Sequence, residues 1–237
     1  MLVFRWWHRV RNAWRRHGAA AFFRLGVYNV HLHLRRLGRG NDKCKAVDPF
    51  DEAHGTDTGE IREIGSLDVE SPNARHAFRY QPSSQHLARC AIQALGIEPS
   101  EFTFIDLGSG KGRILLIAAE FPFKEIIGVE FSRELHNIAL ENISLTPSGR
   151  NPAARISCVC CDAVHYELPH SDLVCYMYNP FGPPVLSRIA ERIIDHRKQH
   201  GFRTIVIYVD PCYGEVFDRM SEFRVIKRTS DVLVLTS

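Results

Sequence analysis

Two acids and a run of glycines carry the clearest chemistry in this chain. Asp106 stands two residues before Gly108-Ser109-Gly110-Lys111-Gly112, and Glu130 closes a short apolar run eighteen residues further on. An acid at the end of a second strand can accept hydrogen bonds from two ribose hydroxyls. A glycine turn after the first strand lets backbone lie close beneath the rest of a nucleoside ligand. Asp162 follows a third apolar run, and Asn179-Pro180-Phe181 follows a fourth. In an open α/β sheet, the residues just past the carboxyl ends of the strands face the ligand.

The elements that must position these groups are legible around them. Phe102–Leu107 is an apolar strand ending beside the first acid. Ile114–Ala119 suits a helix packed on a sheet, and Pro122 stops it. Glu125–Glu130 is the second strand, giving a parallel pair joined by a crossover helix. Ser132 caps a helix bearing Leu135, Ile138, Ala139 and Ile143. Arg155–Cys161 and Asp172–Tyr178 read as strands three and four, Val185–Ile194 as a helix and Thr204–Val209 as strand five. Asp210–Met220 gives a turn and short helix. Phe223–Lys227 and Val232–Leu235 form a terminal hairpin. Upstream, Ser83 or Ser84 caps a helix that Gly96 ends. The expectation is a Rossmann-like α/β domain over residues 61–237, with a seven-stranded, mostly parallel sheet and helices on both faces.

The spacing distinguishes two nucleotide chemistries. A dinucleotide site wants G-x-G-x-x-G, with a helix N-terminus facing a pyrophosphate. Here the third glycine comes one residue early and Arg113 takes its expected place. The D-x-G-x-G-x-G pattern resembles motif I of the class I S-adenosylmethionine (SAM) methyltransferases, over roughly residues 80–237. The resemblance implies SAM as cofactor, with Glu130 on the ribose and Asp106, Gly108, Ser109, Gly110 and Gly112 at the methionine end. It also implies Asp162 at the adenine amino group, with Phe131 and Ala163 beside these acids in the cofactor site. A turn-capping role is the other reading of Asp162. Tyr80 either stacks on the methionine part or anchors its own loop.

Asn179-Pro180-Phe181 resembles the [D/N]-P-P-[Y/F] motif of methyltransferases that act on amino nitrogens, with one Pro where two are expected. The resemblance implies that the Asn oxygen and a Pro carbonyl accept the amine hydrogens, while the aromatic face stabilises developing positive charge. The other reading is a rigid loop before the next helix. D-L-G-S-G-x-G-R is similar to lysine methyltransferases outside the SET class, which makes a protein lysine one acceptor to consider. The rival functions are a non-catalytic SAM-binding scaffold and a nicotinamide-dependent oxidoreductase. The second would need the third Gly at 113 and a catalytic Tyr/Lys or His placed for hydride transfer, and neither is evident.

Composition bounds the rest. At 237 residues, 45% hydrophobic and 24% charged, the chain can bury one sizeable core with an appendage. Residues 1–40 carry nine Arg and no acid, leaving 21 basic against 27 acidic residues in the remainder. The body therefore has no general nucleic-acid footprint. In residues 2–17, Val3, Trp6, Trp7, Val10 and Trp14 share one helical face, and a second helix is expected over Ala19–Leu37. Such a basic amphipathic extension either lies on an anionic membrane surface or packs on the domain or a second subunit. Residues 41–60 read as a linker or mobile loop. Seven cysteines, an odd number, point to reduced thiols in the cytoplasm. Cys158, Cys160 and Cys161 read as buried strand thiols; with no CxxC partner or spaced His pair, no metal site is expected. His31 and His33 point to different helical faces. No apolar run is long enough to span a membrane.

Overall fold

The computed structural model describes residues 48–145 and 155–237. The basic extension and its Trp face lie outside the described residues. Within them, helix α1 (Pro49–His54) is followed by two short 3-10 turns, Ile64–Ser66 and Pro72–His76, and by α2 (Gln85–Gln93). Then come β1 (Phe102–Leu107), α3 (Arg113–Ala118), β2 (Glu125–Glu130), α4 (Arg133–Leu145) and β3 (Arg155–Cys160). The chain continues with β4 (Asp172–Tyr178), α5 (Pro183–His200), β5 (Thr204–Val209), α6 (Glu215–Asp218), β6 (Arg224–Arg228) and β7 (Val232–Thr236).

The seven strands run in the order β3-β2-β1-β4-β5-β7-β6. Strands β1 to β5 pair in parallel, and β7 enters antiparallel to both β5 and β6. Alternate strand residues face opposite sides, so the sheet separates two cores. Phe104, Ile126, Val174 and Ile207 pack with Ile92 and Leu115 on one face. Ile105, Ile127, Cys175 and Val206 pack with Leu186, Ile189 and Ile193 on the other. The order reverses between β1 and β4, where neighbouring crossovers leave to opposite faces. That opens a crevice at the strands' carboxyl ends.

Helix α5 extends beyond the expected span. Pro183 and Pro184 open it, and its last turn carries Arg197, Lys198 and His200, polar to a periodicity count but suited to the helix's negative end. Strand β3 forms a sheet edge, so Cys160 is exposed and Cys158 and Cys161 are half-buried; the expectation of buried thiols is corrected.

The reading of residues 41–60 as a linker is corrected for 48–60. Residues 48–60 belong to the same compact unit as the sheet. The Asp48 side chain accepts from Phe50 N–H, Pro49 opens the helix, and Gly55 closes it at φ 69. Burial raises the Asp51 pKa, but the Thr58 hydroxyl and N–H, the Thr56 hydroxyl and the Gly59 N–H all donate to its carboxylate and hold it below the ordinary value. Phe50 is 1% exposed, beneath the Arg113 guanidinium at 4.9 Å. Phe50→Ala is expected to cost about 3–5 kcal/mol, as core Phe truncations do. Urea unfolding checks this, and a loss under 1 kcal/mol would restore the linker reading.

Candidate active site

The glycine loop is pinned to β2 before any side chain acts. The N–H groups of Gly108 and Ser109 both donate to the Val129 carbonyl, at 2.8 and 3.1 Å. Gly108, Gly110 and Gly112 adopt φ of 84, 54 and 85, a left-handed run that side chains rarely tolerate. The last of these releases the chain into α3.

Glu130, 3% exposed, sits at the end of β2. Its Oε2 accepts Gly110 N–H and its Oε1 accepts Ser132 N–H, each at 2.8 Å. These bonds fix the carboxylate plane at the strand end. Asp106, also 3% exposed, lies opposite Gly128 on β2 and Tyr176 on β4. Burial pushes the Glu130 pKa up to about 7, against the pull of the Ser132, Gly110 and Phe131 N–H groups. Burial also raises the Asp106 pKa well above its ordinary value, and the Glu130 charge adds to it. Two buried acids side by side favour a cationic or hydroxyl-donating ligand.

A strap formed by residues 48–82 crosses these groups. Lys111, wholly buried, pairs with Asp57 at 2.8 Å, and Asn142 holds the Asp57 backbone through both its side-chain groups. Arg113 donates to Thr58 Oγ1 and pairs with Asp48. Tyr80 donates its hydroxyl to the Thr58 carbonyl at 2.7 Å. Its ring lies so close to Gly110 that a Cβ there would meet it at 2.2 Å. The observed contacts of Tyr80 are thus those of a loop anchor, made on the glycine loop itself.

Asp162 follows β3 as expected. Its Oδ1 accepts Val164 N–H, a turn cap, while its Oδ2 accepts the Ser71 hydroxyl and, at 2.9 Å, the Asn73 amide. Burial raises its pKa, but these hydrogen bonds outweigh it and hold the group below the ordinary value. Asp162, Ala163, Phe131 and Phe181 line one small cavity with Asn73 and Val185.

The Asn179–Phe181 loop lies directly on the glycine loop, since a Cβ on Gly108 would meet Pro180 at 2.8 Å. Asn179 is 7% exposed with φ 37. Its Oδ1 accepts the Tyr208 hydroxyl at 3.1 Å and its Nδ2 donates to Cys212 Sγ at 3.2 Å. The Pro180 carbonyl accepts Phe78 N–H at 3.1 Å. Both acceptors expected to face a substrate amine therefore already have donors from the protein. Phe181 faces the small cavity, so its ring is a wall on the Asp162 side.

The structure thus gathers Tyr80, Asp106, the glycine loop, Glu130, Phe131, Asp162, Ala163 and the Asn179–Phe181 loop at one end of the sheet. Sequence reasoning missed Ser71, Asn73, Asp57 and Thr58, which reach the site from the strap. Asp48 before Pro49, with Gly55 six residues on, was the available cap signal. Among the described residues no group of His, Cys, Asp and Glu could hold a metal, and no helix is long and apolar enough to cross a membrane.

No family model and no curated protein matches the chain. Solved structures do. A predicted N6-adenine-specific DNA methylase from Listeria monocytogenes aligns with TM-score 0.49 and 14% identity, over 65% of this chain and 51% of that one. An RNA methyltransferase from Salinibacter ruber, solved with S-adenosyl-L-homocysteine, aligns at 0.46 and 16%, over 65% and 91%. A putative SAM-dependent methyltransferase from Methanococcus maripaludis aligns at 0.46 and 19%, over 65% and 84%.

Proposed function

We propose that this chain, which has the seven-stranded fold of the class I methyltransferases, binds SAM and transfers its methyl group to an acceptor at the Asn179–Phe181 loop. The observation that carries the reading is the pair of buried carboxylates, Asp106 and Glu130, set around a glycine loop at the carboxyl ends of β1 and β2. The residues fit the cofactor. Glu130 would accept from the ribose hydroxyls, Asp106 would meet the methionine ammonium, and Phe131 and Ala163 would flank the base. SAM brings an activated sulfonium methyl, so the chain's own work is positioning and exclusion of water. The strap supplies the exclusion. Asn179 and the Pro180 carbonyl would orient a nitrogen acceptor, a lysine amine being one candidate.

The raised acids give the binding a pH dependence. A carboxyl whose pKa rises on folding holds a proton that the unfolded chain has released. Its contribution to stability is therefore greatest below the unfolded value of 4.5 and is lost as pH rises towards 7, by roughly 3 kcal/mol for Glu130. A cationic ligand expels that proton. SAM affinity should accordingly rise about fivefold from pH 6 to 7, gain about a further twofold by pH 8 and level off there. Calorimetry in two buffers of different ionisation enthalpy should register at least half a proton released near pH 6.5. A flat profile with no proton release would remove the ligand from this carboxylate pair.

The function itself is tested by incubating the protein with radiolabelled SAM and fractions of a cell extract. Transfer of label to a defined fraction supports it, and calorimetric binding of NAD in place of SAM would overturn it. The engaged acceptors of Asn179 and Pro180 favour a second reading, a SAM-binding scaffold. That reading requires SAM to bind while no S-adenosylhomocysteine (SAH) forms with any fraction.

A further inference from the structure

We infer that the Ser71–Asn73 turn of the strap competes with the purine 6-amino group for Asp162, so that cofactor entry requires this turn to let go. The inference rests on the SAM reading of the site. Two observations place the turn in the base's way. The Ser71 hydroxyl and Asn73 amide both donate to Asp162 Oδ2, the carboxylate oxygen left over once Oδ1 has capped Val164. An exocyclic amine is a donor of the same kind, so the turn supplies from within the chain what the base would supply from outside. Asn73 also lines the pocket beside Asp162 with Phe131, Ala163 and Phe181, so the turn itself forms part of the wall of that space.

The turn is held at both flanks by bonds of a different kind. Residues 76–78 form a backbone bridge to the Asn179–Phe181 loop, with His76 O accepting Gly182 N–H at 2.7 Å and Phe78 N–H donating to Pro180 O. Arg62 and Tyr80 exchange a pair of backbone hydrogen bonds upstream of the glycine loop. Residues 67–75 between these bridges make no strand pairing, and Leu67, Val69, Ser71 and Ala74 are only partly buried or exposed. The Asp162 contacts are thus the local clasp. Releasing it opens the cavity without unpicking the bridges. Because the base replaces donors with a donor, Asp162 remains satisfied in both arrangements.

A clasp that must open lowers apparent affinity by the fraction of molecules already open. Removing one donor to a charged oxygen raises that fraction. Asn73→Ala keeps the fold of the turn, whose cap is the Ser71 hydroxyl on Asn73 N–H. SAH binding to the full chain should then become about tenfold tighter, with the gain in the association rate measured by surface plasmon resonance. Ser71→Ala is expected to act in the same direction by a smaller factor, because it also frees the cap. Hydrogen exchange of residues 71–75 should accelerate in wild-type protein when SAH binds. S-inosylhomocysteine, which carries a carbonyl in place of the 6-amino group, should bind at least tenfold more weakly than SAH to wild type and to Asn73→Ala alike. Unchanged or weaker SAH binding in Asn73→Ala, in a variant with wild-type melting temperature, overturns the competition while leaving the SAM reading intact. Absence of SAH binding to wild-type protein overturns both.

Discussion

Glu130→Ala is expected to weaken SAM and SAH binding at least a hundredfold. Each hydrogen bond to a carboxylate contributes about 1.5–3 kcal/mol, and two ribose hydroxyls are lost at once, so the low end is roughly 3 kcal/mol. The structure adds a second route to the loss. The same carboxylate holds Gly110 N–H on one oxygen and Ser132 N–H on the other, so it also sets the glycine loop and the start of α4. Removing it leaves the Gly110, Ser132 and Phe131 backbone donors without that partner. Glu130→Gln separates the contributions. Its amide oxygen can keep one N–H, but its NH₂ group must face the other donor, so affinity should fall between wild type and Ala. Calorimetry with SAH measures both variants, and melting temperature reports the loop. Affinity within threefold of wild type in a folded Glu130→Ala protein would refute the ribose role.

Asn179 carries the second large expectation, on rate. If its amide orients an acceptor nitrogen, its loss should leave SAM affinity within about twofold and lower methyl transfer by roughly 10²–10³, as for a lost oxyanion-hole donor. The site's location supports this split: Asn179 follows β4, whereas the ribose and adenine groups follow β2 and β3. The structure changes which variant tests it. Asn179 has φ 37, where Ala is strained by roughly 1–2 kcal/mol and Gly is not. Asn179→Gly removes the amide without the strain, and Tyr208→Phe removes only the hydroxyl that holds Oδ1. Turnover is measured on the extract fraction that takes up label, together with SAH affinity and melting temperature. A purely architectural Asn179 would give Gly variants whose activity falls only in proportion to folded protein. Normal turnover in folded Asn179→Gly would remove the catalytic role.

Local chemistry accounts for what the sequence alone determined. Apolar runs of strand length, each ended by Asp106, Glu130, Asp162 or Asn179, announce a parallel sheet and the ends from which its ligand groups project. Strand edges, the Ser132 cap and the glycine turn follow from residues within a few positions of one another, which is why their boundaries were legible. The sheet's hydrophobic periodicity likewise predicted the closing hairpin.

Tertiary structure decided what depends on partners distant in the chain. Residues 48–60 are polar and rich in Gly and Asp, which locally describes a loop. They are ordered because Asp57 meets Lys111 and Asn142, and Asp48 and Thr58 meet Arg113, pairings that span more than fifty residues. The reach of Ser71 and Asn73 to Asp162, some ninety residues away, is of the same kind. So is the turning inward of the Asn179 amide, since Tyr208 and Cys212 come beside it only when β4 and β5 pair. A sequence motif specifies which groups stand at the strand ends. Their protonation and which of their lone pairs are already taken depend on burial and on what the strap lays across them, and only the folded chain fixes those.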